Sequence, residues 1–311
     1  MNIFAIFLIL MSVMSCVAIK KVDNPYKTWV YQLQNASPVE LASLGADVVV
    51  IDYSYDGSES SRYSFDQIKA IKESRSIVLS YINIGQAEDY RFYWKESWSE
   101  SPPGWIIGED PEWKGDYYIK YWRQGWKNII FSYIDRILEE GFDGIYLDRI
   151  DAFEYVAKEG ILSEAKAAEK MINFIEEISN YIKGKKENAL VVLQNGERIL
   201  EYDQGELLQH IDGWAVEDLF YSYEDFSLKP KKAIEEREKY LKIAQNAGKF
   251  ILVVEYIDDG KESKETEDRI KKFIDLCKTM DYTPYVSYSD RELNKIDYRF
   301  FHIYSTVEPE K

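Results

Sequence analysis

Eight times along this chain a run of Val, Ile, Leu or Tyr stops abruptly at Asp, Glu, Asn, Gln or Tyr, and this repeated polarity constrains the fold more than any other feature. The clearest instance is residues 141–151, Gly-Phe-Asp-Gly-Ile-Tyr-Leu-Asp-Arg-Ile-Asp, where a turn launches an apolar strand that ends in two acids, Asp148 and Asp151. Near-continuous apolar runs of this kind mark strands buried on both faces of a parallel sheet. A carboxylate at the end of such a strand is costly to desolvate unless a site uses it.

The runs lie at 29–34, 47–54, 76–85, 143–150, 189–196, 211–219, 250–257 and 283–289. Helical patterns separate them, at 127–140, 163–183, 230–247 and 263–280, and Gly141, Gly184 and Gly248 are expected where helices stop. Strands alternating with helices imply βα units, and eight such units in 311 residues predict an α/β fold, a single-domain (β/α)8 TIM barrel over 29–305. The connection after the third strand is anomalous. It runs over 86–125 and is crowded with rings, among them Trp94, Trp98, Trp105, Trp113, Tyr117, Tyr118 and Trp122. Most of these are expected to pack on one another, and a few to face the cleft as flat platforms for sugars or cations.

Residues 1–16 read as an export signal, with an apolar stretch too short to span a bilayer comfortably. It ends in Val13-Met14-Ser15-Cys16, which resembles a bacterial lipobox and makes Cys16 a candidate lipid anchor. The expectation is an exported protein in the cell envelope or outside it, touching a membrane only through this segment. Residues 17–28 read as a linker and 306–311 as a tail; the chain is expected to be a monomer. Net charge is −16 and the basic residues form no long patch, which excludes nucleic acid as a natural partner.

Two histidines, His210 and His302, and two cysteines, Cys16 and Cys277, leave no metal-ligand spacing and no Ser-His-Asp or Cys-His arrangement. No Walker loop or Gly-x-Gly-x-x-Gly is present, and no cofactor is implied. What remains at the strand ends is acid, amide and tyrosine. Alternation sets Asp148 on the same side as Tyr146, toward the barrel interior, and Glu217 on the side of the small Ala215, with Asp218 facing the helices or a cap. Two inward acids in a histidine-free pocket suit glycosidic bond cleavage, one protonating the leaving oxygen and one meeting the oxocarbenium-like centre. Asp52, Tyr53, Tyr81, Asn83, Glu88, Asp151, Gln194, Asn195, Glu255 and Tyr288 are the candidate substrate contacts. A barrel that binds carbohydrate without catalysis, or a carboxylate-held metal centre for hydrolysis or deacetylation, would use similar residues.

Residues 142–148 (Phe-Asp-Gly-Ile-Tyr-Leu-Asp), 80–88 (Ser-Tyr-Ile-Asn-Ile-Gly-Gln-Ala-Glu) and 194–196 (Gln-Asn-Gly) resemble glycoside hydrolase family 114, over about 25–304. The family holds endo-α-1,4-polygalactosaminidases, and some members have carried a cysteinyl-tRNA synthetase-related label that nothing in this sequence supports. The resemblance implies a polysaccharide substrate and a catalytic pair matching Asp148 and Glu217. A retaining mechanism would make Asp148 the nucleophile and Glu217 the acid/base. Two positions depart from the family pattern: Gln86, where an acid is commoner, and Arg149, whose charge would repel an amino sugar unless it turns away.

Overall fold

A computed structural model describes residues 24–307. Residues 1–16, expected from the sequence to be an export signal, and most of the expected linker therefore lie outside the described residues. Eleven strands are described: β1 (Trp29–Gln32), β2 (Val48–Ile51), β3 (Ile77–Asn83), β4 (Gln86–Glu88), β5 (Ile106–Glu109), β6 (Asp116–Ile119), β7 (Gly144–Asp148), β8 (Leu190–Gln194), β9 (Gly213–Glu217), β10 (Phe250–Asp258) and β11 (Thr283–Tyr288). The helices are α1 (Pro38–Leu44), α2 (Phe65–Lys72), α3 (Gln124–Glu139), α4 (Ala152–Lys158), α5 (Glu164–Lys185), α6 (Leu207–His210), α7 (Lys231–Asn246), α8 (Lys264–Met280) and α9 (Tyr298–Val307).

Eight strands pair in parallel in the order β1-β2-β3-β7-β8-β9-β10-β11, a nearly closed (β/α)8 barrel. All eight runs foreseen in the sequence are these strands. At the seam the Trp29 ring lies 5.8 Å from that of Tyr285, and the amides of Leu33 and Gln34 donate to the Leu293 carbonyl beyond β11. Large rings fill the interior. Trp29 stacks on Tyr31 two residues along β1, and Tyr31 meets Tyr146 of β7 at 5.3 Å. Tyr146 thus points inward, as alternation requires, and it carries Asp148 on the same face above it.

The helices bury one stripe each against the sheet. Ile130, Ile134 and Ile137 do so on α3, and Met171, Phe174, Ile175 and Ile178 on α5. Ser64 and Gln67 form a capping box at α2, and Ser263 caps α8. Cys277 is buried on α8 as a small apolar side chain. Gly144 is needed where β7 meets β8, because a Cβ there would sit 2.1 Å from the Leu190 carbonyl oxygen.

The segment after β3 is more than a loop. It folds into a three-stranded antiparallel sheet, β4-β6-β5. Its tryptophans pack in series: Trp94 on Trp98 at 5.3 Å, Trp98 on Trp105 at 5.1 Å, and Trp105 on Trp126 of α3 at 5.3 Å. Trp126 Nε1 donates to the Ile84 carbonyl at 3.0 Å, tying this satellite core to the end of β3. Trp113 and Tyr90 remain exposed.

Candidate active site

The residues immediately following β7, β8 and β9 are Arg149, Asn195 and Asp218, and all three have left-handed φ, at 59°, 51° and 49°. This conformation costs a non-glycine residue about 1–2 kcal/mol and persists only where surroundings impose it. Here it turns the chain sharply at the strand ends and leaves Asp148, Gln194 and Glu217 crowning the barrel mouth.

Asp148 accepts from Tyr81 Oη on Oδ2 at 2.7 Å and from the Arg149 backbone amide on Oδ1 at 2.7 Å. Burial, and then the Glu217 carboxylate, push its pKa up to about 7. Glu217 is held by more donors. Gln194 Nε2 and Asn195 Nδ2 reach its Oε2 at 2.7 and 2.8 Å, and the Tyr256 hydroxyl donates to Oε1. Asn195 Oδ1 also accepts the Glu217 backbone amide at 3.0 Å. Burial raises the Glu217 pKa while the hydrogen bonds from Tyr256 and Asn195 oppose it. Both acids are raised by burial, Asp148 further by the Glu217 charge, while donors to Glu217 oppose its shift; two such carboxyls at one mouth are equipped for acid/base chemistry.

Arg149 turns away from this pair. Its Nη2 donates to Tyr118 Oη at 2.7 Å and approaches Asp110 at 3.3 Å, with Asp151 Oδ1 3.9 Å from Nε. Gln86, the other departure, donates to the same Asp110 carboxylate at 2.6 Å. An amide at position 86 and an acid at 110 thus form one buried unit that receives the arginine. Gly85 permits this, since a Cβ there would stand 2.1 Å from the Arg149 carbonyl oxygen.

The other predicted contacts divide. Tyr81, Gln194 and Asn195 join the pair directly. Asn83 is buried and its Oδ1 accepts the amides of Gly85 and Gln86 at 3.2 and 2.8 Å, fixing the turn into β4. Asp52 and Glu88 are both bound to the buried Arg91, at 2.6 and 2.8 Å. Burial raises the Asp52 pKa despite that cation. Tyr53 is fully buried against Tyr133 of α3 at 4.9 Å. Glu255 is fully buried too; its Oε1 accepts the Phe220 amide at 2.7 Å, and burial drives its pKa up to about 8 despite that bond. The structure does not bring Tyr53 or Glu255 to the mouth. Asp151 stands at the start of α4, and the Tyr288 ring lies under the Lys295 ammonium at 4.2 Å.

Sequence reasoning did not single out Tyr256 or Arg291 as site residues. The register of β10 against β9 pairs Val254 with Glu217, so Tyr256, two residues on, shares its face. That signal was available. Arg291 comes from beyond β11, where its guanidinium lies 4.3 Å from the Tyr256 ring and pairs with Asp218, so Asp218 faces a cap over the mouth. Among the described residues no three His, Cys, Asp or Glu side chains converge on a metal position.

Eight parallel strands and an acid pair at their carboxyl ends define a barrel of the glycosidase type. The sequence model of glycoside-hydrolase family GH114 matches residues 15–303, and the chain belongs to that family. It is a glycoside hydrolase, with a carbohydrate substrate. A protein of Thermotoga maritima is 47% identical over 298 residues, covering 95% of this chain and 92% of its own length. MJ1477 of Methanocaldococcus jannaschii is 48% identical over 280 residues, covering 89% and 80%. Among solved structures, the glycoside hydrolase domain of PelA from Pseudomonas aeruginosa superposes with a TM-score of 0.65 at 14% identity, covering 88% of this chain and 97% of that one. Aspergillus fumigatus Ega3 in complex with galactosamine gives 0.61 at 14%, covering 89% and 96%. At such identity these two share the fold.

Proposed function

We propose that this chain is an exported endo-acting hydrolase of an α-1,4-linked, galactosamine-containing polysaccharide, tethered through Cys16 or released. The observation that carries the chemistry is the Asp148–Glu217 pair at the ends of β7 and β9, where the Glu217 charge adds to burial in holding the Asp148 pKa up. In the retaining mechanism Asp148 attacks the anomeric carbon while Glu217 protonates the departing glycosidic oxygen. Glu217, then ionised, takes a proton from water, which releases the sugar from Asp148. The substrate class is supported by the GH114 match, by the net charge of −16, and by the withdrawal of Arg149 into Asp110 and Asp151, which leaves the mouth acidic. Tyr81, Gln194, Asn195, Asp151 and Tyr288 are the side chains proposed to read hydroxyls or amines.

A second division of roles is favoured by the resting site. Glu217 has three side-chain donors that oppose the upward push of burial on its pKa, whereas the Asp148 pKa is pushed up to about 7, an arrangement that suits Glu217 as the anion and Asp148 as the acid. Azide chemistry separates the two. With Asp148→Ala and an activated α-glycoside, azide replacing a missing nucleophile yields the β-glycosyl azide, whereas azide replacing a missing acid/base yields the α-anomer. Mass spectrometry of the polymer digest tests endo action, which shows as a ladder of internal fragments; release of single sugars alone contradicts it.

A further inference from the structure

The chain between β9 and α7 builds a second feature on the same face of the barrel. Residues 221–228 form a small hairpin in which Ser222 N donates to Ser227 O at 2.8 Å and Tyr221 bridges to Leu228. It is pinned at both sides. Arg269 of α8 lies over the Phe226 ring at 4.6 Å, and Lys229 N donates to Phe220 O at 2.7 Å. Between hairpin and barrel lies a recess of about 390 Å³, lined by Asp218, Ser222, Tyr223, Glu224, Ser227 and Lys229. Asp218 is the residue next to Glu217.

Tyr223 is 59% exposed. It is not loose. The Arg291 guanidinium lies between two rings, 4.7 Å from Tyr223 and 4.3 Å from Tyr256, and is locked there by Asp218. Tyr256 in turn donates to Glu217. The outer ring is therefore held in fixed relation to the catalytic pair, which lowers the ordering cost of any ligand that stacks on it. A flat ring beside hydroxyls, a carboxylate and an ammonium is the chemistry that receives a pyranose. The apolar C–H face meets the ring, and the polar groups meet the sugar hydroxyls or amine.

We propose that this recess is a sugar subsite, separate from the cleavage point, with Tyr223 as its stacking platform. It rests on the hydrolase reading above, because it assumes a polymer that continues past the Asp148–Glu217 pair. The subsite engages only chains long enough to reach it, and it favours cleavage within a polymer over attack on short oligomers.

The test combines retention and turnover. Retention of the Asp148→Asn protein in gels containing galactosaminogalactan is compared with that of the same protein carrying Tyr223→Ala or Tyr223→Phe. Loss of one stacked ring is worth about 1.4 kcal/mol, or roughly tenfold in affinity. Tyr223→Ala is expected to weaken retention about tenfold, and Tyr223→Phe to leave it within twofold, with melting temperature unchanged in both. In the otherwise wild-type enzyme, Tyr223→Ala should lower kcat/KM about tenfold on polymer and leave it within twofold on short oligomers. Unchanged retention, or equal loss on polymer and oligomer, overturns the subsite. If wild type retains polymer through Tyr223 but cleaves none, the hydrolase reading fails while the subsite stands. Cleavage without Tyr223 dependence sinks the subsite alone, and a protein that neither retains nor cleaves the polymer overturns both.

Discussion

Asp148 owes its proton to two causes that act in one direction, burial first and then the neighbouring Glu217 charge. Either division of roles needs one proton on the pair, and that form is lost as pH rises through about 7. The kcat/KM profile, which reports the free enzyme, should therefore have an alkaline limb near pH 7, falling about tenfold per unit above it; a flat kcat/KM from about pH 6 to 9 contradicts the assignment. The stability consequence has a definite sign. A carboxyl whose folded pKa lies above its unfolded value of about 4 binds more protons when folded between those values, so stability falls as pH rises across the window. Asp148→Asn removes that loss. It should melt several degrees, up to about 10 °C, above wild type at pH 8, with the difference vanishing near pH 4. Differential scanning calorimetry at the two values decides this, and a variant that melts below wild type at pH 8 refutes it. At this scale the sequence was legible where alternation governs, as for Asp148 and Glu217. It was not legible where a partner arrives from far along the chain. Arg91 takes Asp52 from 39 positions away, and Asp110 takes Arg149 at the same separation.

The small β4-β6-β5 sheet shows what such partners do to an element. Arg91, buried between β2 and β4, binds Asp52 at 2.6 Å and Glu88 at 2.8 Å, and lies 4.8 Å from the Tyr90 ring. A buried charge network of this kind contributes little net stability when whole, but losing one member strands the others in low dielectric. Arg91→Met leaves two carboxylates without their cation. It should destabilise the protein by about 3–5 kcal/mol, lowering the melting temperature by about 10 °C; a drop under about 2 °C would mean the triad is not isolated from water. The sheet itself was hidden in the sequence. Its strands have three or four residues each, too few for a period of two to register, and β4 is Gln-Ala-Glu. The ring-rich composition did announce the satellite core that the tryptophans form.

Across the whole molecule, the barrel was legible because burial on both faces writes each strand as an apolar run, and a closed parallel sheet leaves few alternative topologies. The mouth was less so, since a strand end fixes a residue's height but not its partner. Glu255 and Tyr256 are neighbours on β10, yet one faces Phe220 and the other Glu217. In the proposed function the acids topping β7 and β9 cleave the polysaccharide together. The direct measurement is reducing-end release from galactosaminogalactan by wild type, Asp148→Asn and Glu217→Gln, each checked for an intact fold by its melting curve. If the pair is the machinery, both variants lose at least about 1,000-fold in rate while remaining folded; either variant retaining activity within tenfold of wild type contradicts it.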